Sequence, residues 1–111
     1  MSDQDSLLVG IMTDGHRAIV TPQGRLSTLT APLLKDALTD LPEDVADIDM
    51  ELSSLEYISS MGLGVLLAAG KACLSKGGAL RLLHPSEVVY DVLDMTGFTE
   101  MFAIVRGNEP A

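Results

Sequence analysis

From residue 57 to residue 70 the chain carries no charged side chain. A run of this kind belongs in an interior. It is broken by Ser59, Ser60, Gly62 and Gly64, and it falls short of the ~20 residues needed to cross a bilayer. The apolar character continues to Leu74 and stops at Lys76-Gly77-Gly78, as a helix commonly stops at glycine. The run therefore predicts a helix packed into an α/β domain. Leu63, Leu66, Leu67, Gly70 and Leu74 fall at helical spacing and form its expected core stripe. Met61, Val65 and Ala68 fall on another face and are expected to leave an apolar surface patch, the kind that marks a protein interface.

The segments around this helix read as strands and helices in turn. Residues 6–12 and 17–21 form an expected hairpin around the Asp14-Gly15 turn. Pro22-Gln23-Gly24 closes it and begins a loop. Thr30 is the expected cap of a first helix, with Pro32 in its first turn. Leu33, Leu34, Ala37 and Leu38 give that helix an apolar face, Lys35, Asp36, Thr39 and Asp40 face water, and Pro42 ends it. Residues 46–52 alternate apolar and acidic side chains, which predicts a strand with one wet face. Residues 53–58 read as a loop. Residues 79–83 are a further strand, stopped by His84-Pro85. Ser86 caps a third helix carrying Val88, Val89, Val92 and Leu93, with Glu87 in its first turn, and Thr96-Gly97 ends it. Residues 98–102 read as a helical turn, 103–105 as a last strand and 106–111 as a frayed tail. The order β-β-α-β-α-β-α-β predicts an α/β fold. Its sheet is mixed, an opening hairpin followed by alternating strands and helices, with the helices mainly on one face. A single domain over residues 1–111 is expected, with its core at about 7–105.

Charge narrows the partners. Seven Lys and Arg stand against sixteen Asp and Glu, a net charge of −9 on 111 residues. Such a chain repels phosphate backbones and anionic lipid surfaces, so neither nucleic acid nor direct membrane binding is expected. A protein partner with a basic patch fits better. Cys73, the one cysteine, excludes an internal disulfide and a zinc cluster built on cysteines. A reducing, cytoplasmic setting follows. The acidic start, Met1-Ser2-Asp3-Gln4-Asp5, does not read as a signal peptide. A serine hydrolase needs a base, and the only histidines are His16, in the hairpin turn, and His84, after a strand. No G-x-S-x-G elbow, Walker loop or dinucleotide fingerprint is present. No cofactor is expected. Glu43-Asp44 and Asp47/Asp49 read as solvated acids, and the six methionines as core filler.

Ser59 and Ser60 precede the apolar helix and so stand at its amino end, where backbone N–H groups lack partners and the helix dipole is positive. Serine in that place is most often only a cap. The same place would also stabilise a phosphate without melting the fold.

Gly24-Arg25-Leu26 with Thr30-Ala31-Pro32, Tyr57-Ile58-Ser59-Ser60-Met61-Gly62-Leu63-Gly64-Val65-Leu66, and Gly77-Gly78-Ala79-Leu80 together resemble a STAS domain, in particular the stand-alone anti-sigma-factor antagonists of bacteria. The resemblance spans nearly the whole chain and is most specific from Ser59 to Leu66. It implies a STAS-like mixed sheet, no catalysis and a partner-switching role. In that role the unphosphorylated antagonist binds an anti-sigma factor that is also a serine kinase, and a phosphatase resets the phosphorylated form. The family motif often reads Asp-Ser-Ser/Thr-Gly-Leu, with the acceptor just before the glycine. Here Met61 holds that place and Ser59 the place of the Asp, which leaves Ser60 as the expected phosphoacceptor and Ser59 as second choice. Ser27 stands where many members carry an acid. The implied partner-binding set is Gly24, Ser27, Ser59, Ser60, Met61, Gly62, Gly64 and Val65, in a monomer or weak dimer. The alternative within the same family is an adaptor subunit of a signalling or transport complex that works without phosphorylation.

Overall fold

A computed structural model describes residues 6–107; the acidic start and residues 108–111 of the tail lie outside them. The chain opens with an antiparallel hairpin, β1 (Leu7–Asp14) and β2 (Arg17–Leu26), whose register pairs Asp14 with Arg17 around a tight turn. Gly15 takes φ +64° there, a conformation open to glycine at little cost. Then follow α1 (Ala31–Thr39), β3 (Asp47–Glu51), β4 (Leu55–Ile58), α2 (Ser60–Ser75), β5 (Leu80–Leu83), α3 (Glu87–Met95), α4 (Phe98–Met101) and β6 (Ala103–Val105). The strands form one mixed sheet in the order β1-β2-β3-β5-β6, with β4 also paired to β2. The expected mixed α/β fold is therefore present, with two local differences.

First, β2 does not end at Thr21. It runs on through Pro22, Gln23 and Gly24 to Leu26. Pro22 is tolerated because it falls between two parallel pairings, Arg17–Val20 with β3 and Gly24–Leu26 with β4, and so owes neither partner a ladder hydrogen bond. Second, the expected loop at 53–58 contains β4, which reduces the connection to the Ser53-Ser54 turn. Four residues are too few for alternation to declare a strand, and Glu56 and Tyr57 both look outward.

Adjacent residues in register share a face of the sheet. Ala18, Ile48 and Leu80 form one buried row, and Val20, Met50 and Leu82 the next. Leu34, Leu63, Leu66, Cys73, Val89 and Leu93 from the helices complete this core. In α2 the buried face runs through Gly62, Leu63, Leu66, Ala69, Gly70 and Cys73. Leu74, expected in the core, is exposed, and Leu67 is only half-buried. At 3.6 residues per turn the buried face reaches Cys73 and leaves both leucines on its flank. Gly70 is needed in that face because Phe102 lies directly against it, where a Cβ would collide with the ring.

The opposite face of the sheet is open to water. Ile19 is 40% exposed there, and Leu8 and Met12 more so. Asp49 lies in the same row as Ile19 and Arg81, but it is only 6% exposed rather than solvated as its alternating pattern suggested. Arg81 grips it through Nε and Nη2 at 2.9 and 3.0 Å, and Arg17 donates from Nη1 at 3.1 and 3.2 Å. The two arginine side chains lie across the carboxylate and keep water from it.

The Arg81 hydrogen bonds hold the Asp49 carboxyl below its ordinary pKa of 3.8, against the opposing effect of burial, and the charge of Arg17 adds to them. A lowered folded-state value means a contribution complete above that ordinary value and lost as pH falls through the lowered one. Asp49→Asn is expected to destabilise the protein by about 2 kcal/mol near neutral pH, less than the ~3–5 kcal/mol of a fully buried pair because both guanidiniums stay partly in water. Urea unfolding of both proteins should show this gap near neutrality and its narrowing below about pH 4.

Candidate functional site

The parallel strands β2 and β4 end side by side, with Leu26 paired to Ile58. The residues that follow, Ser27 and Ser59, therefore begin two loops at one edge of the sheet, and each loop leads into a helix. The Ser59 backbone N–H donates to the Leu26 carbonyl at 2.9 Å and locks the two together. The carboxyl ends of parallel strands are where α/β sheets usually place their sites.

The first loop is closed by its own hydroxyls. Thr30 Oγ1 accepts from the Ser27 N–H at 2.8 Å and donates to the Arg25 carbonyl at 2.7 Å, while Ser27 Oγ accepts from the Thr30 N–H at 3.3 Å. Thr30 does stand at the amino end of α1, but its hydroxyl turns back to the loop and makes no cap hydrogen bond. Gly24 takes φ +115° at the register shift between Gly24 and Arg25, and a Cβ there would strike the Ser6 carbonyl. On the open face, the Arg25 guanidinium stacks over Tyr57, 4.4 Å from the ring centre.

The second connection is Ser59 alone, with Ser60 already in α2, and the two serines have different roles. Ser59 is the N-cap of α2: its Oγ accepts from the Gly62 N–H at 3.2 Å, and its carbonyl accepts from the Leu63 N–H at 2.9 Å. Ser60 is the first helical residue. It is exposed, and its hydroxyl has no hydrogen-bond partner among the described residues. Gly62 is buried against β2 and β4. A Cβ there would lie 2.7 Å from Leu26 Cγ and 3.0 Å from Ile58 Cγ1, so glycine allows the helix to start this close to the sheet.

An open groove of about 450 Å³ runs from Ser60 between α1 and α2. Met61, Gly64, Val65 and Ala68 line its α2 side, and Lys35, Leu38 and Thr39 its α1 side. Met61 is 54% exposed. The apolar patch expected from Met61, Val65 and Ala68 is thus present and is one wall of this groove. The wall from α1 was missed: Lys35 and Thr39 do face water, but sequence spacing gives no sign that two helices pack side by side. Of the expected partner-binding set, Ser60, Met61 and Gly64 are exposed, and Ser59, Val65 and Gly24 partly so. Ser27 and Gly62 are buried and shape the site from beneath.

The remaining candidates lie elsewhere. His16 is exposed in the hairpin turn beside the Asp44 carbonyl, and His84 Nδ1 lies 3.0 Å from the Glu51 carboxylate. Neither lines the groove. Among the described residues no group of three or more His, Cys, Asp or Glu is placed to hold a metal, and no helix is long and apolar enough to cross a membrane.

The STAS domain model matches residues 11–109. An anti-sigma-B factor antagonist of Bacillus subtilis (strain 168) is 33% identical over 86 residues, covering 78% of this chain and 79% of that protein. A Thermotoga maritima crystal structure, described as a candidate anti-sigma factor antagonist, aligns with a TM-score of 0.82 at 27% identity over 90% of this chain and 87% of that one. The Bacillus cell fate determinant SpoIIAA in its phosphorylated form shares the fold, with a TM-score of 0.69 at 16% identity over 92% and 93% of the two chains.

The division of roles between the serines has a measurable consequence. Ser59→Ala should cost about 1 kcal/mol through loss of the cap, and Ser60→Ala less than about 0.5 kcal/mol. Gly62→Ala should cost about 1–3 kcal/mol by overpacking against Leu26 and Ile58. Chemical denaturation of the three variants beside the parent checks the order.

Proposed function

This chain belongs to the STAS domain family, and we propose that it acts as a cytoplasmic anti-sigma-factor antagonist. In this reading it binds an anti-sigma factor that is also a serine kinase, and modification of Ser60 ends the binding. The observation that carries the reading is the free, exposed Ser60 hydroxyl at the first position of α2, at the mouth of an apolar groove, next to a serine already committed to the cap. The 33%-identical Bacillus subtilis relative named anti-sigma-B factor antagonist supports the partner class.

The chemistry follows from the placement. The partner covers the groove and excludes water from Met61, Val65 and the rim at Ser60. The kinase transfers the γ-phosphoryl group of ATP to Ser60 Oγ; the hydroxyl proton and ADP leave. The new charge of about −1.5 to −2 meets the positive end of the helix dipole, so the fold accepts it. The partner does not, because covering an unpaired phosphate costs several kcal/mol. A phosphatase hydrolyses the phosphate ester with one water, inorganic phosphate leaves, the Ser60 hydroxyl is restored and the complex re-forms.

Met61 at the family's usual acceptor position favours a second reading, an adaptor that docks through the same groove and is never phosphorylated. Incubation with the anti-sigma kinase and ATP, followed by peptide mass spectrometry, separates the two. The first reading expects phosphate on Ser60, undiminished binding by Ser60→Ala, and binding weakened at least about 100-fold by Ser60→Glu. Binding that survives Ser60→Glu, with no phosphate found, supports the adaptor. No binding to an anti-sigma factor at all removes the first reading.

A further inference from the structure

A second surface, formed by α3 and α4, has a composition that sets it apart. From residue 82 to residue 105 the chain has no Lys or Arg, while Glu87, Asp91, Asp94 and Glu100 supply four carboxylates. All four are exposed. The inner face of α3 is fully committed to the core through Val89 and Leu93. The outer face, at about 100° per residue, places Glu87, Asp91 and Asp94 in one stripe and Val88 and Met95 in the stripe beside it. Val88 is 59% exposed and Met95 78%, while α4, packed against α3, adds Met101 at 54%. An apolar stripe left in water beside an acidic one is a two-part surface, and each part selects its complement.

We infer that the outer face of α3 is a docking surface for a basic amphipathic segment of a partner protein. Apolar side chains of that segment cover Val88 and Met95, and its Lys or Arg side chains reach Glu87, Asp91 and Asp94. Charge decides the occupant. A second copy of this chain would set carboxylates against carboxylates, and nucleic acid or an anionic membrane would do the same. A small counter-ion would leave Val88 and Met95 in water. One cation of the chain already rests on a flank of this helix: the guanidinium of Arg106 lies 3.9 Å from the ring centre of Tyr90. Methionine suits such a surface because its side chain adapts to different partners. None of these residues lines the groove at Ser60, so this surface stands apart from the proposed switch.

The test is a titration of the isotope-labelled full chain, followed by NMR, with a synthetic helical peptide that carries Leu on one face and Lys on the adjoining one. A control peptide replaces every Leu by Gln at unchanged charge. The Leu peptide should shift amides 87–96 and bind at least about tenfold tighter than the control. Val88→Ser with Met95→Ser should remove that advantage. Glu87→Lys with Asp91→Lys should weaken binding about tenfold or more and flatten its salt dependence. All four positions are exposed, and an unchanged spectrum outside α3 reports that the variants fold. Equal binding of the two peptides, shifts centred on residues 59–68, or no saturable binding would each overturn the inference.

Discussion

One strand has three partners, and the rest of the molecule follows from how it shares itself. Along one side, β2 pairs with β1 over the length of the hairpin. Along the other side it pairs first with β3, through Arg17–Val20, and then with β4, through Gly24–Leu26. The division needs a place where the ladder can lapse and the register can shift. Pro22 and Gly24 supply it, one without an N–H to donate and one free to take φ +115°. Because β4 lies against the last residues of β2, the strand that precedes Ser59 ends beside the loop that precedes α1. Gly62 then lets α2 begin directly over Leu26 and Ile58. The groove between α1 and α2 is the space those two starting points define.

A sheet covered by helices on one face must still keep its other face in order. Here an ionic cluster does part of that work. Asp49 sits in the central strand, where an unpartnered carboxylate would be costly, and Arg17 and Arg81 come from the strands on either side. Their aliphatic stems cover sheet surface while their charged ends fix the carboxylate. The same three side chains tie β2, β3 and β5 together across the sheet.

How much of this was legible in the sequence depends on what kind of signal each part leaves. The hairpin, the three main helices and the strand at 80–83 leave local signals, namely Asp14-Gly15, Ser86, Gly97 and helical or alternating spacing, and these hold. β4 left none, because a four-residue strand paired to a distant one is specified by its partner rather than by its own pattern. Pro22 misled because proline breaks most ladders, and its tolerance here depends on a gap between two partners. Asp49 misled because alternation says which residues share a face but not what covers that face. At the site, the serine pair and its apolar neighbours could be read directly. The roles of the two hydroxyls could not, since a cap and a free first-turn serine differ only in backbone geometry: Ser59 is extended, at φ −97° and ψ 174°, and Ser60 is already helical.

That difference bears on how a modification can act in so acidic a protein. A chain with a net charge of −9 gains little in total charge from one phosphate, and ions screen charge beyond about 8–10 Å. Long-range repulsion is therefore a weak basis for switching. A local effect is not weak, because a partner seated in the groove must take water away from whatever stands at its mouth. The cap hydrogen bond belongs to Ser59 and not to Ser60, so the proposed modification of Ser60 does not require the helix start to unfold. On the proposed reading, the cap and the docking switch thus rest on neighbouring side chains, Ser59 and Ser60.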